Sequence, residues 1–309
     1  MIFCCGEALI DMVPITSADG REGFSPAAGG AIFNTAVALG RLGIKAGFVS
    51  GLSNDLFGQT LVEVLHASHV DTTYAIRSDR PTTLAFVRLT DGHATYTFYD
   101  ENTAGRMITP EDLPDLPETA TALYFGGISL CPDPAGATYQ AFMQAHAASK
   151  VTMIDPNIRQ GFITDPDGYR ARIMAMIGMA DIVKLSDEDL DWLLEGAQTP
   201  EEKLAVIAQM GPSLSILTKG SEGAYALSAA GPVSVAARKA IVKDTVGAGD
   251  TFNAGVLASL EASGVLTKVA LADVSEGIVA KALDFGAQVA AVTVSRDGAN
   301  PPWANELQG

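Results

Sequence analysis

The sequence predicts an α/β fold: a mostly parallel sheet flanked by helices, with a small second β-sheet attached as a lid. Three observations carry this. Short β-branched runs alternate with helical runs along most of the 309-residue chain, the order that builds a parallel sheet covered by helices. The chain opens on an apolar run, Ile2–Cys5, that fits a buried first strand. Residues 83–99 break the alternation with two strand-like runs around Asp91-Gly92, a two-residue hairpin signal. Length alone admits two domains. The continuous pattern favours one unit over 1–309, with the lid drawn from about 12–27 and 72–103.

In chain order, the predicted strands of the main sheet are 2–5, 46–49, 122–125, 152–154, 182–184, 214–218 and 224–227. The predicted helices are 34–42, 55–66, 134–148, 167–179, 187–194, 200–210, 251–263 and 274–291. In the first helix, Ala36, Ala38 and Gly40 permit tight packing on a sheet, and Gly43 suits its stop. In the hairpin, a turn at Asp91-Gly92 sets Ala85, Val87 and Leu89 opposite Phe98, Tyr96 and Ala94, an apolar face. Arg88, Thr90, His93, Thr95 and Thr97 make the other face, and 12–27 supplies further strands. The end of the chain, with Pro301-Pro302, reads as a surface segment.

Composition narrows the function. Hydrophobic residues make up 48%, enough for a large core. No uninterrupted apolar run reaches the roughly 18 residues of a membrane span. The N-terminal segment lacks the basic start and cleavage site of a signal peptide. Cys4, Cys5 and Cys131 form an odd, sparse set, and the first two point to opposite faces of a strand. Reduced thiols and a cytoplasmic setting follow. His66, His69, His93 and His146 show no metal-ligand clustering. A net charge of −16 disfavours nucleic acid and anionic membranes as partners.

The most informative stretch is 243–255, Lys-Asp-Thr-Val-Gly-Ala-Gly-Asp-Thr-Phe-Asn-Ala-Gly. Gly247, Ala248 and Gly249 let backbone N–H groups converge on an anion, and a helix starting there adds positive potential. A carboxylate beside an anion site repels the anion, so binding alone does not explain Asp250. Proton removal from a hydroxyl that attacks phosphorus does. The plainer reading is a glycine-rich turn with Asp in a first helical turn. A second stretch, Gly29-Gly30-Ala31-Ile32-Phe33-Asn34, lets a polyhydroxy ligand approach the backbone. Asn34 either caps the helix or bonds a sugar hydroxyl pair. There is no G-x-x-x-x-G-K-[ST] string, and Gly6 is followed by Glu7-Ala8-Leu9 rather than a dinucleotide fingerprint.

Together, Gly29-Gly30…Asn34 and Asp244-Thr245-Val246-Gly247-Ala248-Gly249-Asp250-Thr251-Phe252 resemble the two signatures of the PfkB (ribokinase-like) carbohydrate kinases. The resemblance covers nearly the whole chain. It implies a ribokinase-like fold, ATP as donor, Mg²⁺ and a monovalent cation such as K⁺. The small sheet read as a lid also offers a surface for pairing with a second subunit, giving a homodimer through the lid. The resemblance makes Asp250 the catalytic base and Gly247, Ala248 and Gly249 the anion hole. Asp11, Gly29, Gly30, Asn34 and Phe98 become sugar contacts. Asp155-Pro156-Asn157-Ile158-Arg159 matches the family's D-x-N-x-R element, so Arg159 would touch sugar or transferring phosphate; a structural Arg–Asp pair is the plainer alternative. Where the family has N-x-x-E, this chain has Ser186 and Asp189 after Lys184, a departure that also reads as a helix cap. By position Lys184 and Ser186 fall to the nucleotide, and Asp189 to Mg²⁺ through water. Thr218, Gly220 and Gly223 resemble the nucleotide loop, with Lys219 as either a ligand or a turn residue. Asp244 with the carbonyls of Val246, Thr293 and Gly298 are the monovalent-cation candidates.

The strings Ala85-Phe86-Val87-Arg88 and Phe98-Tyr99-Asp100-Glu101-Asn102 resemble the fructokinase-like branch. Sugar-acid kinases place an aromatic–Arg pair where Tyr99-Asp100 stands, and an aspartate there would repel an acid. The resemblance therefore implies phosphorylation of the primary hydroxyl of a neutral ketohexose, fructose first. A 2-keto-3-deoxygluconate kinase, with Arg88 or Arg106 reaching the pocket, is the alternative. A non-catalytic sugar sensor is a second one.

Overall fold

The computed structural model describes residues 1–90 and 93–307, with the side chains of 88–90 and 93–96 outside that description. Nine strands form the main sheet. In spatial order they are Gly231–Val235, Ala224–Ser228, Leu214–Thr218, Ile182–Ser186, Val151–Asp155, Ala122–Gly126, Ile2–Cys5, Ala46–Val49 and Val70–Asp71. The run from 214–218 to 70–71 is parallel, and the two strands at the other edge are antiparallel. The opening strand is central and wholly buried, with Ile2 level with both Ala122 and Ala46. Cys4 and Cys5 contribute to two different apolar clusters, one on each side of the sheet, as strand alternation requires.

Each predicted strand of the main sheet is present within two residues of its expected bounds. Two helices begin three residues earlier than their local signals indicate. They run Ala31–Arg41 and Ala248–Ala262, so Asn34 and Asp250 stand inside first turns rather than ahead of them. Asn34 is therefore not a helix cap. The Lys268–Ala272 helix and the Gly231–Val235 strand have no counterpart in the sequence reading.

The small sheet has the order Glu22–Gly29, Leu9–Thr16, Thr83–Thr90, His93–Tyr99. Its hairpin register matches the sequence expectation: Ala85 faces Phe98, Val87 faces Tyr96 and Leu89 faces Ala94. The Asp91-Gly92 turn itself lies outside the described residues, as do the side chains of Arg88, Leu89, Thr90, His93, Ala94, Thr95 and Tyr96. The small sheet does not coincide with the segments 12–27 and 72–103 expected for a lid. The sheet starts at Leu9, and Ile76–Ser78 pairs with Gly51–Ser53 in a separate two-stranded sheet. The chain end also differs from expectation. Pro301 and Pro302 are buried, because Arg41 donates to Asn300 Oδ1 at 2.8 Å and to the Pro301 carbonyl at 2.9 Å.

The Glu276–Val294 helix has the length and apolar composition to cross a membrane. Here it packs along the Ala248–Ala262 helix, with Val279, Leu283, Gly286 and Val289 buried. The contact is close: a Cβ on Gly255 would lie 2.7 Å from Gly286 Cα and 3.1 Å from the Phe285 carbonyl oxygen. Both obstacles are backbone, so Gly255→Val forces the helices apart. We expect a loss of about 1–3 kcal/mol, read as a lower denaturant midpoint. An unchanged midpoint would contradict this packing account.

Candidate active site

Ligands on open α/β sheets bind beyond the carboxyl ends of the strands. Two adjoining cavities lie there. The first, about 290 Å³, is lined by Glu7, Asp11, Asn34, Phe98, Arg159 and Asp250 among others. The second, about 580 Å³, is a largely apolar slot bordered by Thr218, Gly220, Gly223, Phe252, Ala290 and Val294 among others. They share one wall, formed by Thr245, Ala248 and Gly249.

That wall is the glycine-rich turn. Gly247 sits at φ 76°, in the left-handed region, and caps the Ala248–Ala262 helix without a side-chain bond. A Cβ there would meet Ala299 Cβ at 2.6 Å. Among the described residues, the amides of Gly247, Gly249 and Asp250 have no intramolecular acceptor. Ala248 N makes only a 3.3 Å contact to the Thr245 carbonyl, and Thr251 N begins the helical ladder at Gly247. Of the expected trio, Gly247 and Gly249 therefore keep free amides and Ala248 makes only that long contact, while the Asp250 amide is free as well.

Asp250 is buried, and Asn34 Nδ2 donates to its Oδ2 at 2.9 Å. Thr35 Oγ1 donates to the Asp250 carbonyl at 3.0 Å, tying the backbone as well. Burial pushes the Asp250 carboxyl up to about 7, against the lowering effect of the Asn34 bond. That places a base near neutrality, where proton abstraction is efficient. Asp11 is pushed up to about 6 by burial. Gly29 does not border the cavity; its role is to leave room for Asp11, whose Oδ2 lies 2.3 Å from where a Gly29 Cβ would be. Gly30, at φ 108°, does border it. Phe98 borders it too and packs edge-on against Phe162 at 4.9 Å.

Two cations answer the surrounding carboxylates. Arg159 lines the first cavity two residues after Asn157, which also lines it and sits in the left-handed region at φ 46°. Arg159 forms no pair with Asp155, so the structural-pair alternative falls. Asp155 instead accepts from Lys184 Nζ at 3.1 Å and from Asn253 Nδ2 at 2.7 Å. Lys184 is buried; burial opposes its charge, but Asp155, Asp189 and Asp250 raise its pKa and keep it protonated. Its ammonium lies 3.4 Å from where a Gly249 Cβ would stand, so it faces the glycine-rich turn.

Several expected residues have other work. Ser186 and Asp189 form a reciprocal helix cap. Asp189 Oδ2 accepts from Ser186 N at 2.9 Å, its Oδ1 accepts from Ile158 N at 2.8 Å, and neither residue borders either cavity. Lys219 is a turn lysine paired with Glu201 at 2.8 Å. Asp100 pairs with Arg106 at 3.3 Å, and neither borders the first cavity. The Arg88 side chain is outside the described residues. Asp244 accepts from Val246 N and Gly298 N, each at 3.0 Å, so it meets these two residues through their amides rather than through the candidate carbonyls. The Thr293 and Gly298 carbonyls accept from Arg296 N and Asn300 N. Among the described residues no group of three or more His, Cys, Asp or Glu could hold a metal. Sequence reading gave no role to Glu7, Leu9, Gly127 or Ile128, which also line the first cavity. They carry no motif, and only the fold brings them to the site.

The pfkB family carbohydrate kinase model matches residues 1–306. A fructokinase of Rhizobium leguminosarum bv. trifolii is 53% identical over 277 residues, spanning 89% of this chain and 84% of that one. The crystal structure of the Xylella fastidiosa fructokinase with bound ATP aligns with TM-score 0.89 and 29% identity, over 99% of this chain and 97% of the other. A double mutant of the Vibrio cholerae O395 fructokinase, in its fructose-, ADP- and potassium-bound form, aligns with TM-score 0.83 and 25% identity over 96% and 93%. The chain belongs to the pfkB family of carbohydrate kinases.

The raised Asp250 pKa has a stability consequence. The folded state holds this proton more tightly than the unfolded one. The contribution is fully present below about pH 4 and is lost as pH rises through about 7. Asp250→Asn removes the buried charge, so at pH 8 it should raise unfolding free energy by on the order of 2–4 kcal/mol. At pH 4 the two proteins should be close. Denaturant titrations at both pH values check this; equal stability at pH 8 would contradict the assigned burial.

Proposed function

We propose that this kinase transfers the γ-phosphoryl group of ATP to the primary hydroxyl of fructose. The observation that carries this is a buried, Asn-tethered carboxylate at a wall of free amides shared by two cavities. The sugar occupies the first cavity and the nucleotide the second, so attacking oxygen and phosphorus meet over Gly249. The hydroxyl donates to Asp250, which takes the proton as the sugar oxygen bonds to phosphorus. The bond from phosphorus to the bridging oxygen breaks and ADP leaves. Amides of the turn, with Lys184 and Arg159, offset charge on the transferring group. Asp11 and Asn34 orient sugar hydroxyls. Small residues in the second cavity leave room for a purine, and Thr218, Gly220 and Gly223 pass close to it. The four-stranded sheet serves as a lid that excludes water over the sugar.

The residues present fit Mg²⁺ held chiefly by the phosphates and water, since Asp189 is committed to its cap. When bound, Mg²⁺ supplies charge neutralisation on those phosphates. Asp244 and nearby carbonyls offer hard oxygens suited to K⁺, and the potassium-bound relative supports that choice. Exposed Val13, Ile15, Phe24 and Tyr99 on the small sheet favour pairing with a second copy. The buried thiols are consistent with a cytoplasmic setting.

A neutral sugar is favoured over a sugar acid because the first cavity is walled by three carboxylates, Glu7, Asp11 and Asp250. The names of the relatives point the same way. The intact base and anion turn argue against a silent sensor. Asp250→Asn should cut turnover by about 10²–10⁴-fold while sugar and ATP affinity persist. A coupled ADP-release assay should rank fructose above 2-keto-3-deoxygluconate, and the reverse ranking would overturn the substrate. Light scattering should report a dimer that Phe24→Lys disrupts; a monomer at assay concentrations would remove the pairing.

A further inference from the structure

Glu7 has no step in the transfer chemistry, yet two glycines make room for it. It leaves the end of the central strand and is buried on the acceptor cavity wall. One oxygen, Oε1, accepts from Ala31 N at 3.0 Å; the other, Oε2, accepts from Ser129 N at 3.3 Å. Gly127, at φ 67°, would place a Cβ 2.0 Å from Oε1. Gly30, at φ 108°, would place one 3.2 Å from Glu7 Cγ. A side chain at 127 would displace the carboxylate, and one at 30 would crowd the Glu7 backbone and stem.

The Ala31–Arg41 helix is capped by Gly30, which has no side chain to satisfy the first amides. Glu7 supplies the missing acceptor from 24 residues away. The same helix carries Asn34 and Thr35 to Asp250, one turn further on. We infer that Glu7 is a positioning residue for catalysis: by clamping the helix start to the 127–129 turn, it sets where Asn34 stands against the base. This rests on Asp250 being that base. Misplacement by about 1 Å is enough to cost roughly 10²-fold in rate.

The test is a double-mutant cycle on the full-length enzyme, with Glu7→Ala, Asn34→Ala and the pair. Glu7→Ala should lower kcat about 10- to 100-fold and leave the KM for ATP within about twofold. Its acid limb in kcat/KM for sugar should move to higher pH, because the Asn34 bond holds the Asp250 pKa down against burial. Asp155, Lys184 and Arg159, the other groups acting on Asp250, stay in place in every variant. The pair should be no slower than Asn34→Ala alone. Glu7→Gln keeps the shape and one acceptor, so it should fall between wild type and Glu7→Ala; it replaces Glu7→Ala in the cycle if that variant does not fold. Losses that multiply in the pair, with an unmoved acid limb, would overturn the inference. Asp250→Asn distinguishes the two claims. Near-normal turnover in that variant sinks the base assignment, whereas a dead Asp250→Asn with a multiplicative cycle sinks only the role of Glu7.

Discussion

A carboxylate must be kept ready beside a site built to attract anions, and the fold is arranged around that conflict. Asp250 lies at the third position of a helix whose free amides face the same space. The start of a second helix, at Ala31, opens onto the same cavity. Both positive helix ends offset part of the cost of a buried negative charge. The Asn34 bond supplies a further donor and fixes one oxygen, leaving the other for a hydroxyl. Remove the burial and the base is too weak; remove the donors and it stays protonated.

The same logic explains the buried ion pair. The chain carries a net charge of −16, so its average field repels phosphate. Lys184 places one positive charge at the turn, and Asp155, Asn253 and Tyr124 form the buried network that keeps it there. An isolated buried ammonium would lose its proton. The pair is therefore a device for local charge against the global field. Arg159 adds a second cation on the wall of the same cavity.

Much of this was legible in the chain. Period and punctuation located the seven predicted main-sheet strands, and hairpin register followed from one turn. The glycine-rich string pointed to a carboxylate beside free amides, and the structure has Asp250 buried next to the unbonded amides of Gly247 and Gly249. What escaped reading depends on distant contacts. Asn34 looks like a cap because the true acceptor for its helix is Glu7, which no local pattern links to it. Asp100 looks like a pocket residue until Arg106 is seen to hold it. The prolines near the chain end look exposed until Arg41 draws them in. Ser186 and Asp189 show the opposite: the local cap signal was stronger than the functional one, and the structure follows it.

The central claim is geometric, that one carboxylate and one set of amides act on the same transferring group. A crystal structure with fructose, ADP, Mg²⁺ and aluminium fluoride tests it most directly. The account predicts the primary hydroxyl within hydrogen-bond reach of Asp250, and fluorine atoms facing the amides of Gly247, Gly249 and Asp250. A fluoride group bound away from that turn, or a sugar whose hydroxyls all miss Asp250, would contradict it.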